Sequence, residues 1–94
     1  MTSTSAADGM EIEPQGEHEY VVRLRDGGTV VESWIRVTPG LLDQLGATEA
    51  GEERLVRRTV TFLLRYQDVA DFPAVVELED VLAAYGEYAA AMTH

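Results

Sequence analysis

The sequence feature that most constrains the fold is a pair of alternating runs joined by two glycines, HEYVVRLRDGGTVVESWIRV, at residues 18–37. Regular alternation of apolar and polar residues is typical of β-strands that bury one face. Gly27 and Gly28 suit a two-residue turn, because a positive φ costs glycine almost nothing. The sequence therefore predicts a β-hairpin in which Val21 lies opposite Trp34.

This register gives the two faces of the hairpin different compositions. One face gathers the apolar side chains Tyr20, Val22, Leu24, Val31, Ile35 and Val37. The other face carries the contact between Val21 and Trp34, with an opposite-charge pair on each side of it. The pairs are Glu19 with Arg36 and Arg23 with Glu32. Each such pair contributes about 0.2–1 kcal/mol, whereas the apolar face needs a cover from the rest of the chain.

Three helices are predicted after the hairpin. Thr38 followed by Pro39 is typical of a capped helix start, and Gly46 is well placed to end the short helix that follows. Apolar residues at helical spacing predict a main helix over roughly residues 49–66 and a last helix over about 78–92. Gly86 is a weak point at which the last helix can end or bend.

These elements predict an α+β fold in the order β-β-α-α-α, with the N-terminal hairpin packed against two to three helices. A hairpin alone is barely stable in water. A short third strand near residues 74–78 would help, since Val75 and Val76 favour extended backbone. A second copy of the chain is the alternative source of that strand.

The first 17 residues are polar, small and acidic, which predicts a disordered acidic tail over residues 1–17 and a single small domain over 18–94. A domain of that size buries only about 60% of its unfolded surface and is marginally stable. The chain has no cysteine, which excludes disulfides and cysteine-based zinc sites. Self-association as a homodimer is therefore an expected source of stability.

Charge limits the classes of partner. The net charge is −10, and residues 1–17 and 66–94 contain acids but no base. The negative electrostatic field of such a chain opposes binding to nucleic acid and to anionic membranes. No apolar segment approaches the length of a membrane span, and the first residues lack the features of a signal peptide. We expect a cytoplasmic protein.

The chain lacks the residues that several common catalytic mechanisms require. Without lysine there is no Schiff base and no phosphate-loop lysine, and without cysteine there is no thiol nucleophile. Within residues 18–94, a serine–histidine pair would have to use Ser33 with His18, and we expect no acid on that face to orient the imidazole. Glu17 and Glu19 flank His18 but point away from it in a strand, which argues against a metal site.

Carboxylates are plentiful, with the densest group at Glu77, Glu79 and Asp80. Their position at a helix start predicts exposure rather than the burial that an acid–base catalyst needs. We therefore predict no catalytic residue, no cofactor and no metal, and a chain that is not an enzyme. A small carboxylate-dependent enzyme is kept as an alternative.

The predicted binding surface is the polar face of the hairpin, formed by Val21, Arg23, Arg25, Trp34 and Arg36. Tryptophan and arginine are enriched at the centres of protein interfaces. The leading hypothesis is an interaction or regulatory protein that binds a protein partner, or itself, through this face or a strand edge. The alternative is a nucleic-acid or anion-binding accessory protein that uses Arg23, Arg25 and Arg36 beside Trp34, together with the arginines of the main helix. Cross-strand ion pairs would neutralise two of the three arginines, which favours the first hypothesis.

Overall fold

The fold is built on one mixed sheet of four strands in the order β1-β2-β3-β4. The computed structural model describes residues 9–46, 48 and 51–93. The strands are β1 (Met10–Gly16), β2 (Glu19–Asp26), β3 (Thr29–Arg36) and β4 (Val75–Glu77). The first three are antiparallel, and β4 runs parallel to β3. The predicted α+β class is confirmed.

The hairpin formed by β2 and β3 has the predicted register. Asp26 lies opposite Thr29 across the glycine pair, and Val21 lies opposite Trp34. Gly27 has a φ of +63°, a conformation that glycine adopts without strain. The local turn therefore determines which residues face each other along both strands.

Strand β1 lies within the segment that the sequence predicted to be a disordered tail. Residues 10–16 pair with β2, so the prediction of disorder over residues 1–17 is wrong for this segment. Residues 1–8 of that tail lie outside the described residues. Met10 is buried and Ile12 packs against the core. Two apolar residues among acids are too few to show an alternating pattern, yet β2 supplies a ready edge for them to join.

The sequence also predicted the short third strand, at residues 74–78, and the structure forms it as β4. Val76 points into the core and Val75 points to solvent. The backbone N–H of Trp34 donates to the carbonyl of Ala74 at 2.8 Å, which continues the pairing of β3 past the start of β4. The complete order is therefore β-β-β-α-α-β-α-α rather than β-β-α-α-α.

Four helices follow or interrupt the sheet. They are α1 (Pro39–Gln44), α2 (Glu52–Leu63), α3 (Leu78–Ala84) and α4 (Tyr88–Met92), and a 3-10 turn forms at Val69–Asp71. The start of α1 at Pro39 is as predicted, although the Thr38 side chain makes no capping hydrogen bond. The last helix, predicted over about 78–92 with a weak point at Gly86, is divided in two there, because Tyr85 is extended and residues 85–87 separate α3 from α4.

The core lies between the helices and one face of the sheet, which we call the inner face. The predicted apolar residues of the hairpin point there, and all but the half-buried Val31 are buried. The helices contribute the buried side chains Leu41, Leu55, Val56, Val60, Leu63, Leu78 and Tyr88. Phe62 joins Tyr85 and Tyr88 in edge-on ring contacts at 5.6 and 5.4 Å. Within the described part of the chain, no helix has the length and apolarity to cross a bilayer.

Two buried tyrosines predict a loss of stability at high pH. Burial raises the pKa of Tyr88 to about 12, although its 2.7 Å hydrogen bond with Thr59 acts in the opposite direction. Burial, followed by the hydrogen bond to Glu52, also raises the pKa of Tyr20. Unfolded tyrosines release their protons near pH 10.0, while the folded chain keeps both. The contribution of these two tyrosines to the free energy of unfolding is therefore fully present below pH 10, and it is lost as the pH rises through their folded pKa values.

We expect the free energy of unfolding to fall between about pH 10 and pH 12, by up to about 1.4 kcal/mol per pH unit for each retained proton. Urea unfolding at a series of pH values measures this slope. Tyr88→Phe should reduce the slope over the same window. A stability that stays flat across the window would contradict the burial of both hydroxyls.

Candidate functional site

The sheet face opposite the core, which we call the outer face, carries no helix among the described residues. Its outward-pointing residues are Glu11, Glu13, Glu19, Val21, Arg23, Arg25, Val30, Glu32, Trp34, Arg36, Val75 and Glu77. Apart from the buried Val21, they are exposed or half-buried. The residues that form the core cluster come from the inner face and the helices. Within the part of the chain that the structure describes, the outer face is therefore a sheet surface that no helix covers.

An apolar row crosses the middle of this face. Val21, Trp34 and Val75 are direct partners on three adjacent strands. Trp34 is 42% exposed and Val75 is 53% exposed. Val21 is buried although it lies outside the core cluster. The only tryptophan of the chain thus lies at the centre of an uncovered sheet face.

Ion pairs flank the apolar row on both sides. On one side, Arg36 lies between Glu19 and Glu77, with nitrogen–oxygen distances of 3.6 and 3.7 Å. On the other side, the Arg23 Nε donates to Glu32 Oε2 at 2.8 Å, and its Nη2 lies 3.5 Å from Glu13. Each of these arginines therefore has two carboxylates within reach.

The structure places all five predicted binding residues on the outer face, and it adds acids that the sequence reasoning missed. Arg25 lies 3.9 Å from Glu11 of β1, so every arginine of this face has an acidic neighbour. Glu11 and Glu13 were missed because β1 was assigned to the tail. The local signal is the alternation of Met10 and Ile12 with these two acids, which is too short to predict a strand by itself.

A second cluster joins the turn between β1 and β2 to the start of α2. Glu52, the first residue of α2, is only 5% exposed. Its Oε2 lies 2.6 Å from the Nδ1 of His18, and its Oε1 accepts a hydrogen bond of 2.7 Å from the Tyr20 hydroxyl. The sequence predicted no acid for the His18 imidazole on its own hairpin face, and it did not indicate that an acid of α2 would reach the ring. The acid comes from the helix and not from the strand.

The Glu52 cluster holds a strained turn. Glu17 and His18 have φ values of 47° and 66°, in the left-handed region that costs a residue with a Cβ about 1–3 kcal/mol. The N-terminus of α2 favours the negative charge of Glu52. Together these contacts tie the turn to the helix, which is a structural role.

Among the described residues, Ser33 does not complete a serine–histidine–acid triad with this cluster. Ser33 is buried and pairs with Val22, four residues along β2 from His18. That spacing separates them by about 13 Å at the rise of a β-strand. Among residues 9–46, 48 and 51–93, no three acids or histidines come close enough to hold a metal ion.

The acidic group predicted near the start of the last helix does not form a single site. Glu77 lies in β4 and pairs with Arg36, whereas Glu79 and Asp80 are exposed in the first turn of α3. Exposed acids at a helix N-terminus interact favourably with its dipole. Their placement agrees with the predicted exposure.

Arginines of α2 were part of the nucleic-acid hypothesis, and one of them has a structural role. The Arg58 guanidinium donates to the carbonyls of Ala91 and Met92 at 2.8 and 3.2 Å. These are carbonyls at the end of α4, which need partners outside the helix. Arg54 is exposed on the same helix, and Arg65 is exposed in the turn that follows it.

The outer face and the Glu52 cluster thus differ in what they offer to a partner. Both carboxylate oxygens of Glu52 already have a partner at short distance. The outer face presents exposed apolar side chains between charged rows. The chain matches no protein-family model, no curated protein and no solved structure.

Proposed function

We propose that the chain is a small, cytoplasmic, non-enzymatic interaction or regulatory protein that binds a protein partner through the outer face. The observation that carries this proposal is the exposed Trp34 at the centre of a sheet face that no described helix covers. A solvated sheet face normally carries polar residues. Here the apolar row interrupts that pattern, and a tryptophan between arginines is typical of an interface centre.

Charge supports a protein partner over nucleic acid. The outer face carries five glutamates and three arginines, and each arginine lies within 4 Å of a carboxylate. Binding to nucleic acid would require a basic surface whose arginines are available to neutralise phosphates and so release the counterions of the nucleic acid. Ion-paired arginines on an acidic chain of net charge −10 do not provide that surface.

The carboxylates of the outer face also give little support to the enzyme alternative. They are exposed or half-buried and lie beside arginines, which stabilise the ionised form. An acid–base pair requires two carboxyl groups with different pKa values that face one substrate. Ion-paired acids spread across a flat surface do not meet this requirement.

Replacing Trp34 with serine tests the proposed function. With the tagged full chain as bait in an extract of its source cells, we expect Trp34→Ser to retain at least about ten-fold less of any specific partner, since a hot-spot residue contributes 2 kcal/mol or more. The bound proteins are quantified by mass spectrometry, with purified untagged chain added as one candidate partner.

The matched control is Val30→Ser. Val30 lies on the same strand and the same face, is 57% exposed, and lies near the hairpin turn outside the apolar row. This variant should retain partners as the unaltered chain does, and circular dichroism should show that both variants are folded. If the two variants retain the same proteins in the same amounts, the outer face has no partner that depends on Trp34.

A further inference from the structure

We propose that the partner of the outer face is a second copy of this chain, and that two copies meet face to face about a two-fold axis along the apolar row. This inference rests on the proposed function of the outer face and names its partner. It follows from the distribution of charge around Trp34 and Val21. A two-fold interface must be self-complementary, because the same surface is presented by both subunits.

The charge of the outer face changes sign across the apolar row on both central strands. On β3, Arg36 lies two residues after Trp34 and Glu32 lies two residues before it. On β2 the order is reversed, because Arg36 pairs with Glu19 and Glu32 pairs with Arg23. Residues two apart in a strand share a face and are about 7 Å apart. The four side chains therefore form a square of alternating charge around the apolar row.

A two-fold axis along the row places each charged residue opposite its complement. Arg36 meets Glu32 of the partner subunit, and Glu19 meets Arg23 of the partner subunit. By symmetry this gives four contacts of opposite sign around a central contact between the two Trp34 rings. The strands of the two sheets then run nearly antiparallel to each other, which suits the aligned packing of sheets face to face.

The apolar residues distinguish this axis from the other two-fold axis that the charges allow. An axis along the strands, between β2 and β3, would also match the four charges. It would place Val75 against Glu13 of the partner subunit, and bury an apolar side chain against a carboxylate. The axis along the row brings Val75 to Val75 of the partner subunit. The same axis brings Glu13 to Glu13 of the partner subunit at the exposed end of the row, where Arg23 lies 3.5 Å from each carboxylate and partly neutralises it.

The size of the face predicts a weak dimer. Four strands at about 4.8 Å spacing and about 3.3 Å per residue give a face of roughly 500 Å². The total buried area of roughly 1,000 Å² is at the low end of specific interfaces. The net charge of −10 opposes association at long range, but at physiological ionic strength charges more than about 8 Å apart are largely screened.

Two row-swap variants test the axis. The first row swap combines Glu19→Arg with Arg36→Glu, and the second combines Arg23→Glu with Glu32→Arg. Each keeps an opposite-charge pair between β2 and β3, so the hairpin retains its cross-strand contact. In a dimer of either variant alone, all four intersubunit contacts become like-charged. In a mixed dimer of the two variants, all four are again opposite in sign.

Sedimentation equilibrium of the full chain measures the outcome. We expect the unaltered chain to dimerise in the micromolar range, each row-swap variant alone to dimerise at least ten-fold more weakly, and the equimolar mixture to recover the affinity of the unaltered chain. Recovery in the mixture also shows that both variants are folded. The inference is overturned if the unaltered chain stays monomeric at millimolar concentration, if either variant alone dimerises as tightly, or if mixing restores nothing. Dependence of other captured proteins on Trp34 would leave the proposed function standing in each of these cases.

Discussion

Replacing Ile35 with alanine should lower the free energy of unfolding by about 2–5 kcal/mol, the range for a large aliphatic side chain removed from a packed core. Ile35 is 0% exposed and lies on the inner face of β3, where it pairs with Tyr20 and with Val76. Truncation leaves a cavity between the sheet and the helices. Native domains are stable by only about 5–15 kcal/mol in total, so the variant should unfold at a clearly lower urea concentration.

Val30→Ala is the control for this prediction. Val30 has a similar shape and lies on the same strand, but it points to the outer face and is exposed. Its truncation should change the free energy of unfolding by less than about 0.5 kcal/mol. Urea unfolding followed by circular dichroism measures both. Equal losses for the two variants would contradict the assignment of inner and outer faces.

Replacing Glu52 with alanine should cost about 3 kcal/mol. The carboxylate accepts a hydrogen bond from Tyr20 at 2.7 Å and lies 2.6 Å from His18. Its removal leaves the buried tyrosine hydroxyl without this acceptor, and each unsatisfied buried polar group costs about 1–3 kcal/mol. It also frees the turn at Glu17 and His18 to leave its left-handed backbone conformation.

Glu53→Ala provides a matched control, because Glu53 is the next residue of the same helix turn and is exposed. It loses the same charge near the helix N-terminus but no buried contact, so the expected cost is below about 0.5 kcal/mol. Glu52→Gln keeps the shape and one acceptor, and should fall between the two alanine variants. The cluster has no role in stability if Glu52→Ala and Glu53→Ala unfold at the same urea concentration.

Local signals account for the elements that the sequence predicted well. The glycine pair at residues 27 and 28 and the alternation on either side of it specify the register of β2 and β3. Pro39 and Gly46 mark the limits of α1 in the same way, since Gly46 has the positive φ of a helix stop. These features depend on neighbours a few residues away and are therefore readable from the chain.

Pairing between distant segments was only partly predictable. Val75 and Val76 indicated a strand, but nothing local showed that it would lie parallel to β3. Strand β1 was missed because its acids resemble a disordered tail, and its two inward-facing apolar residues are recognisable only once β2 offers an edge. The same omission hid Glu11 and Glu13 from the candidate site.

The sequence by itself determined which residues lie on each face of the hairpin, and it placed Trp34 among residues of alternating charge. A strand turns successive side chains to opposite faces, so this division requires no knowledge of the rest of the molecule. Tertiary structure decided which side the helices cover, and it brought Glu52 to His18 and Tyr20 across 34 and 32 residues of sequence. Contacts over such separations depend on how the whole core packs, and a local sequence pattern does not predict that packing.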